Sequence, residues 1–239
     1  MRADTAACKV QASGSLAMGR GASQVALVFL GLVPALITLL ATVTDIDLLL
    51  ADAVFDVRIQ AFPWRHAWLA EQFSHVLLKR ALIGLAVIVI VMALWDLARP
   101  RPWSQIRRVQ VRIVALSAAL TPLIISGLKQ ISSSHCPWDI DRYGGTAPYI
   151  RLLDALPAGV EAGHCMPGGH ASSALWLISA AVFFLPARPR LAVTTFGLML
   201  AVGMAVGWLQ QMRGAHFFTH TLWSAWIACT VLFVLVQRS

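Results

Sequence analysis

Two short stretches gather five of the seven histidines in this 239-residue chain, together with other residues able to do chemistry. The first, Lys129–Gly169, gathers Lys129, His135, Cys136, Arg142, Tyr143, His164 and Cys165 and runs into Pro167-Gly168-Gly169-His170. The second, Gln211–His220, holds Arg213, His216 and His220. Imidazole has an ordinary pKa of about 6.5, so it can serve as nucleophile, acid or base near neutrality. Lysine and arginine beside it would hold an anion. A Gly-Gly pair opening a helix lets the backbone approach that anion and aims unpaired N–H groups at it. Taken alone, the pair fits a plain glycine-rich helix start equally well. Arg213, His216 and His220 are spaced i, i+3, i+7 and would share a helical face, although Gly214-Ala215 allows a turn there instead.

These groups need a scaffold, and the composition puts that scaffold in lipid. Hydrophobic residues make up 58% of the chain and charged residues 13%, where a soluble domain carries about a quarter charged. So few polar side chains cannot cover a water-facing surface. Crossing a bilayer takes about 20 apolar residues. Gln24–Thr44 and Leu191–Met212 meet that length without a charge, and Ala171–Ala187 is just long enough. Ala81–Trp95, Ile113–Leu128 and Thr221–Val236 are shorter, flanked by Lys79, Arg80, Arg112, Lys129 and Arg238, whose stems can snorkel. The expected fold is an all-α integral membrane bundle of six transmembrane helices, one domain over residues 1–239. Residues 1–23 form a short cytoplasmic segment, with Gln24–Thr44 read as a retained helix and not a removed signal peptide. Outer loops are expected at 45–80, where short interfacial helices would suit the mixed composition, and at 129–169.

The net charge of +8 is a topology signal, because excess Lys and Arg mark the cytoplasmic side. Arg2, Lys9 and Arg20, then Arg99, Arg101, Arg107 and Arg108, then Arg188 and Arg190, then Arg238 fall on one side of a six-span chain. Both termini are therefore expected inside, in an inner (cytoplasmic) membrane, with the histidine-bearing stretches facing the periplasm. Trp64, Trp68, Trp95, Trp103, Trp138 and Trp208 suit an interfacial belt. No nucleic-acid partner is implied. Ionisable residues packed beside membrane helices mark a functional site by default.

With these stretches in order, the chain resembles the type 2 phosphatidic acid phosphatase superfamily. That family's motifs read Lys-x6-Arg-Pro, Pro-Ser-Gly-His and Ser-Arg-x5-His-x3-Asp. Here they correspond to Lys129-x6-Cys136-Pro137, Pro167-Gly168-Gly169-His170, and a third motif whose histidine is His216, preferred for the small Gly214-Ala215 pair before it, or else His220, with Arg213 one residue out of register and Ser224 in place of the aspartate. Cys136 replaces an arginine, Gly168 a serine, Gln210 an arginine and His220 an aspartate, while Arg213 stands one helical turn closer than the family's arginine. The resemblance implies a membrane lipid phosphate substrate and no metal or other cofactor. It implies His216 as a nucleophile forming phosphohistidine, oriented by His220, with His170 as general acid and then base. Lys129, Arg213 and the N–H groups of Gly168 and Gly169 would hold the phosphate oxygens, with Arg142 as a further substitute for the missing arginine.

Cys136 and Cys165 share the expected outer loop, where an oxidising compartment permits a disulfide. Free thiols are the alternative, as is a metal site built from the pairs His135-Cys136 and His164-Cys165. Cys8 and Cys229 are expected free. The leading expectation is metal-independent hydrolysis of a lipid phosphate or diphosphate. The rivals are a lipid phosphotransferase and a non-catalytic lipid-phosphate binding or transport protein, which the replaced motif positions would favour. The sequence sets no oligomeric state.

Overall fold

Uninterrupted apolar runs wind into helices because hydrocarbon offers backbone N–H and C=O groups no other partner. The computed structural model describes Leu16 and residues 19–239, so the expectations for Arg2, Cys8 and Lys9 lie outside the described residues. Seven helices follow one another there: α1 (Arg20–Val43), α2 (Ile46–Asp52), α3 (Leu69–Ala98), α4 (Gln105–Gln130), α5 (Gly169–Phe184), α6 (Pro189–Met212) and α7 (Phe218–Gln237). No strand forms among the described residues beyond two isolated bridges. Five helices, α1, α3, α4, α6 and α7, are long and apolar enough to cross a membrane, which makes this a multi-pass membrane protein. Their outer faces bear uncovered apolar side chains, such as Phe29 at 64% and Val193 at 72% exposure. Water would penalise that coat at about 25 cal/mol per Å²; lipid does not.

The helix α5 is shorter and central. Ala171, Ala174, Leu175, Trp176, Ile178 and Val182 are all buried on it. Its last nine residues, Trp176–Phe184, are wound as 3-10 helix. A 3-10 turn rises about 2.0 Å per residue against 1.5 Å for an α-helix, so the element extends roughly 28 Å, close to the ~30 Å hydrocarbon core. Small residues let its neighbours close in. A β-carbon on Gly203 would lie 2.4 Å from Leu175 Cδ2, and one on Gly207 2.2 Å from Thr221 Cγ2. This Gly-x3-Gly spacing on α6 is the close-packing pattern of membrane helices.

One expected boundary changes. Within 45–80, α2 is a short helix of the kind expected there, and α3 begins at Leu69, well before the expected Ala81. Residues Leu69–Leu78 are wound as a π-helix, opened by Phe73 N–H donating to Trp68 O at 2.9 Å, a winding that often marks functional sites. An apolar count stops at Lys79 and Arg80, whereas backbone bonding does not. At the opposite end of the bundle, buried Asp96 accepts the Arg101 N–H at 3.0 Å and faces Arg108 and Arg112 at 3.9 and 3.7 Å. That end carries the arginine-rich turn between α3 and α4.

The C-terminal carbonyls of α5 are tied to α4 by buried Gln110, whose Nε2 donates to Val182 O at 3.1 Å and Leu185 O at 2.9 Å. A leucine at 110 fills similar space but strands the Leu185 carbonyl, at about 1–3 kcal/mol for a buried group, while Val182 O keeps the Leu185 N–H. Gln110→Leu should therefore lower the melting temperature in detergent. An unchanged melt would remove Gln110 from the account of how α5 is held.

Candidate functional site

The chain end of α6 sets the site. Helix α6 stops at Met212, and Arg213–Phe217 turn before α7 begins, so the turn allowed by Gly214-Ala215 forms and the shared helical face does not. Gly214 has φ +74°, and a β-carbon on it would meet Phe62 Cδ2 at 2.4 Å; both facts require glycine. The turn is closed by Gly214 N–H donating to Gln211 O at 2.9 Å and Ala215 N–H to Gln210 O at 2.9 Å. It carries Arg213 and His216 inward, both buried.

The start of α7 is fixed from another element. That helix has no side-chain cap of its own. Asp47, buried on α2, instead accepts the Thr219 N–H at 2.9 Å and the Thr219 hydroxyl. Acceptors at a helix start satisfy otherwise orphaned N–H groups and oppose the helix dipole. Burial raises the Asp47 pKa above the ordinary carboxylate range, and the two Thr219 bonds pull it partly back. Gly168 is pinned to the same helix, its N–H donating to His220 O at 3.0 Å, while Ser224 Oγ donates to Gly168 O at 3.0 Å.

Three histidines meet as a result. The His170 and His216 ring centroids lie 5.8 Å apart, and those of His216 and His220 6.0 Å apart. Both ring nitrogens of His170, and Nδ1 of His220, are buried without a hydrogen-bond partner. The charge of Lys129, at the end of α4, acts on all three rings. His216 is held neutral: burial pushes its pKa well below the ordinary imidazole range, and His220 and Lys129 push the same way. Arg213 is gripped by Gln210 Oε1 at 3.0 Å and Arg65 O at 3.1 Å, with Glu71 at 3.8 Å. Gln210, which stands where the resembled family has arginine, thus holds the arginine found one turn later.

Three expectations change in detail, and the expected disulfide forms. His220 does not hydrogen-bond the His216 ring; Cys165 Sγ is the atom against His216 Nδ1, at 3.4 Å. The Gly168 N–H, expected to face phosphate, is taken by His220 O, which leaves Gly169 at the first helical position with no intrahelical acceptor. Arg142 forms a two-pronged pair with Asp52, at 2.9 and 2.6 Å, and Tyr143 OH joins the same carboxylate at 2.8 Å. That pairing holds the Asp52 carboxyl below its ordinary range and commits the Arg142 guanidinium. Cys136 and Cys165 form a disulfide, so their sulfurs are not a metal site paired with His135 and His164. Cys229 is free, as expected.

His75 joins the cluster unannounced. Its ring centroid is 4.2 Å from that of His170, and Lys79 adds its charge to both rings. Glu71, His75 and Lys79 recur at i, i+4, i+8, the spacing of one helical face. That signal was present in the sequence, in a stretch read as loop.

A family model described as the PAP2 superfamily matches residues 110–239. The match spans every motif position from Lys129 to His220 and leaves α1, α2 and α3 outside it. No curated protein and no solved structure matches the chain.

The raised Asp47 pKa has a signed consequence. The folded state binds the Asp47 proton more tightly than the unfolded chain, so stability falls as pH rises from about 4 through the folded value. Asp47→Asn keeps an acceptor for the Thr219 N–H and removes the titration. Melting curves in detergent across that range should show the decline in wild type and its reduction in the variant; identical pH profiles would exclude Asp47 as the source.

Proposed function

The chain belongs to the PAP2 superfamily, and from that membership we propose that it removes the phosphate of a membrane lipid through attack by His216. Phosphatase or phosphotransferase chemistry on a phosphate-bearing substrate follows from the family in coarse terms. The lipid, the phosphohistidine route and the membrane face are our reading. One observation carries it: His170, His216 and His220 converge beside Lys129 at one end of an apolar bundle. Around a dry, neutral imidazole stand Lys129, Lys79 and Arg213, with Glu71 opposing them. A phosphate group supplies the anion such a site lacks.

The steps follow from positions. With the His216 proton on Nδ1, toward Cys165, its Nε2 keeps the lone pair that attacks phosphorus. The bond to the lipid oxygen breaks, and His170 donates a proton to that leaving oxygen. His170 then takes a proton from water, whose oxygen displaces His216 and releases inorganic phosphate. Lys129, Arg213 and the Gly169 N–H hold the equatorial oxygens, where fixed charge supplies most of the rate. His75, its ring tilted against that of His170 at 4.2 Å, keeps that ring in place. The cations and the helix start do the charge stabilisation, so the reaction is metal-independent. We place the site on the periplasmic face of the inner membrane, with six spans and α5 as the short one. The apolar walls leave open transfer of the phosphoryl group to a second lipid instead of water.

Phosphate release from detergent-solubilised protein, over a panel of lipid phosphates and diphosphates with EDTA present, tests this reading. His216→Ala should lose activity by roughly 10³-fold or more, and His170→Ala by roughly 10²–10⁴-fold, with melting temperatures near wild type. Near-normal turnover in His216→Ala would reject the nucleophile, and loss of wild-type turnover in EDTA would reject the metal-free route.

A further inference from the structure

The disulfide beside His216 has a second possible state. The sulfurs of Cys136 and Cys165 and a ring nitrogen of His216 all lie within 4.8 Å of one another. Cys165 Sγ is 3.4 Å from His216 Nδ1 and 3.3 Å from Ala215 O. Two thiolates and one imidazole form a recognised zinc ligand set that leaves one position open. We propose that Cys136, Cys165 and His216 form a redox-gated site for a soft divalent cation such as Zn²⁺, closed while the disulfide is intact and opened by a thiol or phosphine reductant.

The backbone keeps these ligands together when the sulfur bond is cut. Gly163 N–H donates to Ser133 O at 3.1 Å, His164 N–H to Ser132 O at 3.0 Å and Cys165 N–H to Ser134 O at 2.9 Å. Trp138 N–H donates to Gly214 O at 3.0 Å, which clips the Cys136 strand to the turn bearing His216. A β-carbon at Gly163 would fall 2.5 Å from the His135 Cα, a measure of how closely the two cysteine segments run. Each of these hydrogen bonds joins backbone atoms, and none involves a sulfur.

The chemistry balances. A dithiol gives two electrons and two protons to the S–S bond, yielding two cysteine thiols and its own disulfide. The metal ion then displaces both thiol protons and accepts the Nδ1 lone pair. Lys129 and Arg213 already act on His216 with positive charge, so a bare dication would be repelled. Two thiolates cancel its charge, and the neutral complex fits where the ion alone would not. With Nδ1 on the metal, the imidazole proton moves to Nε2 and the nucleophilic lone pair is gone. Reduction with metal would thus silence the enzyme; this last consequence rests on the proposed role of His216, and the site itself does not.

Cobalt(II) added to the full-length protein in detergent, before and after phosphine reduction, is the test. The reduced protein should develop a near-ultraviolet thiolate-to-cobalt band, bleached by one Zn²⁺ per chain, and the oxidised protein should not. Cys136→Ser and Cys165→Ser should abolish the band, and His216→Ala should shift its visible bands and weaken binding. Absence of a band in reduced protein that still elutes as a single species would overturn the proposal, as would unchanged affinity in His216→Ala. Collapse of the reduced protein into aggregate would overturn it too, since the site needs a folded reduced state. A band from a protein inactive on every lipid would sink the phosphatase reading and leave the metal site standing; an active protein without a band would do the reverse.

Discussion

Hydrocarbon cannot hydrogen-bond a peptide group, and that constraint arranges this molecule. Helices alone satisfy their backbone internally, so irregular chain is driven to the ends of the bundle or onto a partner that completes it. The turn at Arg213–Phe217, the segment around Cys136 and the Pro167-Gly168-Gly169 approach all obey it. Each is bonded to another: Trp138 to Gly214, Cys165 to Ser134, Gly168 to His220. Chain that had to be sequestered has been collected into one place, and the imidazoles come with it. Helix α5 sits in the middle, and its own start, which bears His170, is tied to the start of α7 by the Gly168 N–H and His220 O.

Electrostatics then separates the site from the scaffold. Buried charge is normally matched by an opposite charge or hydrogen bonds. Asp47 meets that rule through Thr219. The histidine cluster departs from it. It gathers Lys79, Lys129 and Arg213 around rings with unpartnered nitrogens, with Glu71 as the nearby acid. Around these rings the nearby cations outnumber the nearby acid.

Much of this was legible in the sequence. Hydropathy placed every long helix, and the residues singled out by type and interval at 129, 170, 216 and 220 come together in the fold. The pairing of Cys136 with Cys165 was the reading preferred over free thiols or a metal site, and the bond forms. Other parts depended on three-dimensional facts that no spacing encodes. His75 was hidden because α3 begins in π-winding ahead of the apolar window. Asp47 was one of several acids in a mixed loop, and only its contact with Thr219, far along the chain, distinguishes it. Arg142 had the right charge for phosphate, yet Asp52 reaches it first. The Gly168 N–H looked free because its acceptor, His220 O, belongs to another helix.

The central claim is a covalent bond between His216 and phosphorus. The most direct measurement is a rapid quench of purified protein mixed with a lipid carrying ³²P-phosphate, followed by tryptic mapping of the label. Label that survives alkali, is lost in acid and maps to the peptide bearing His216 is the predicted result. Turnover with no trapped label, or label on any other residue, would contradict the account.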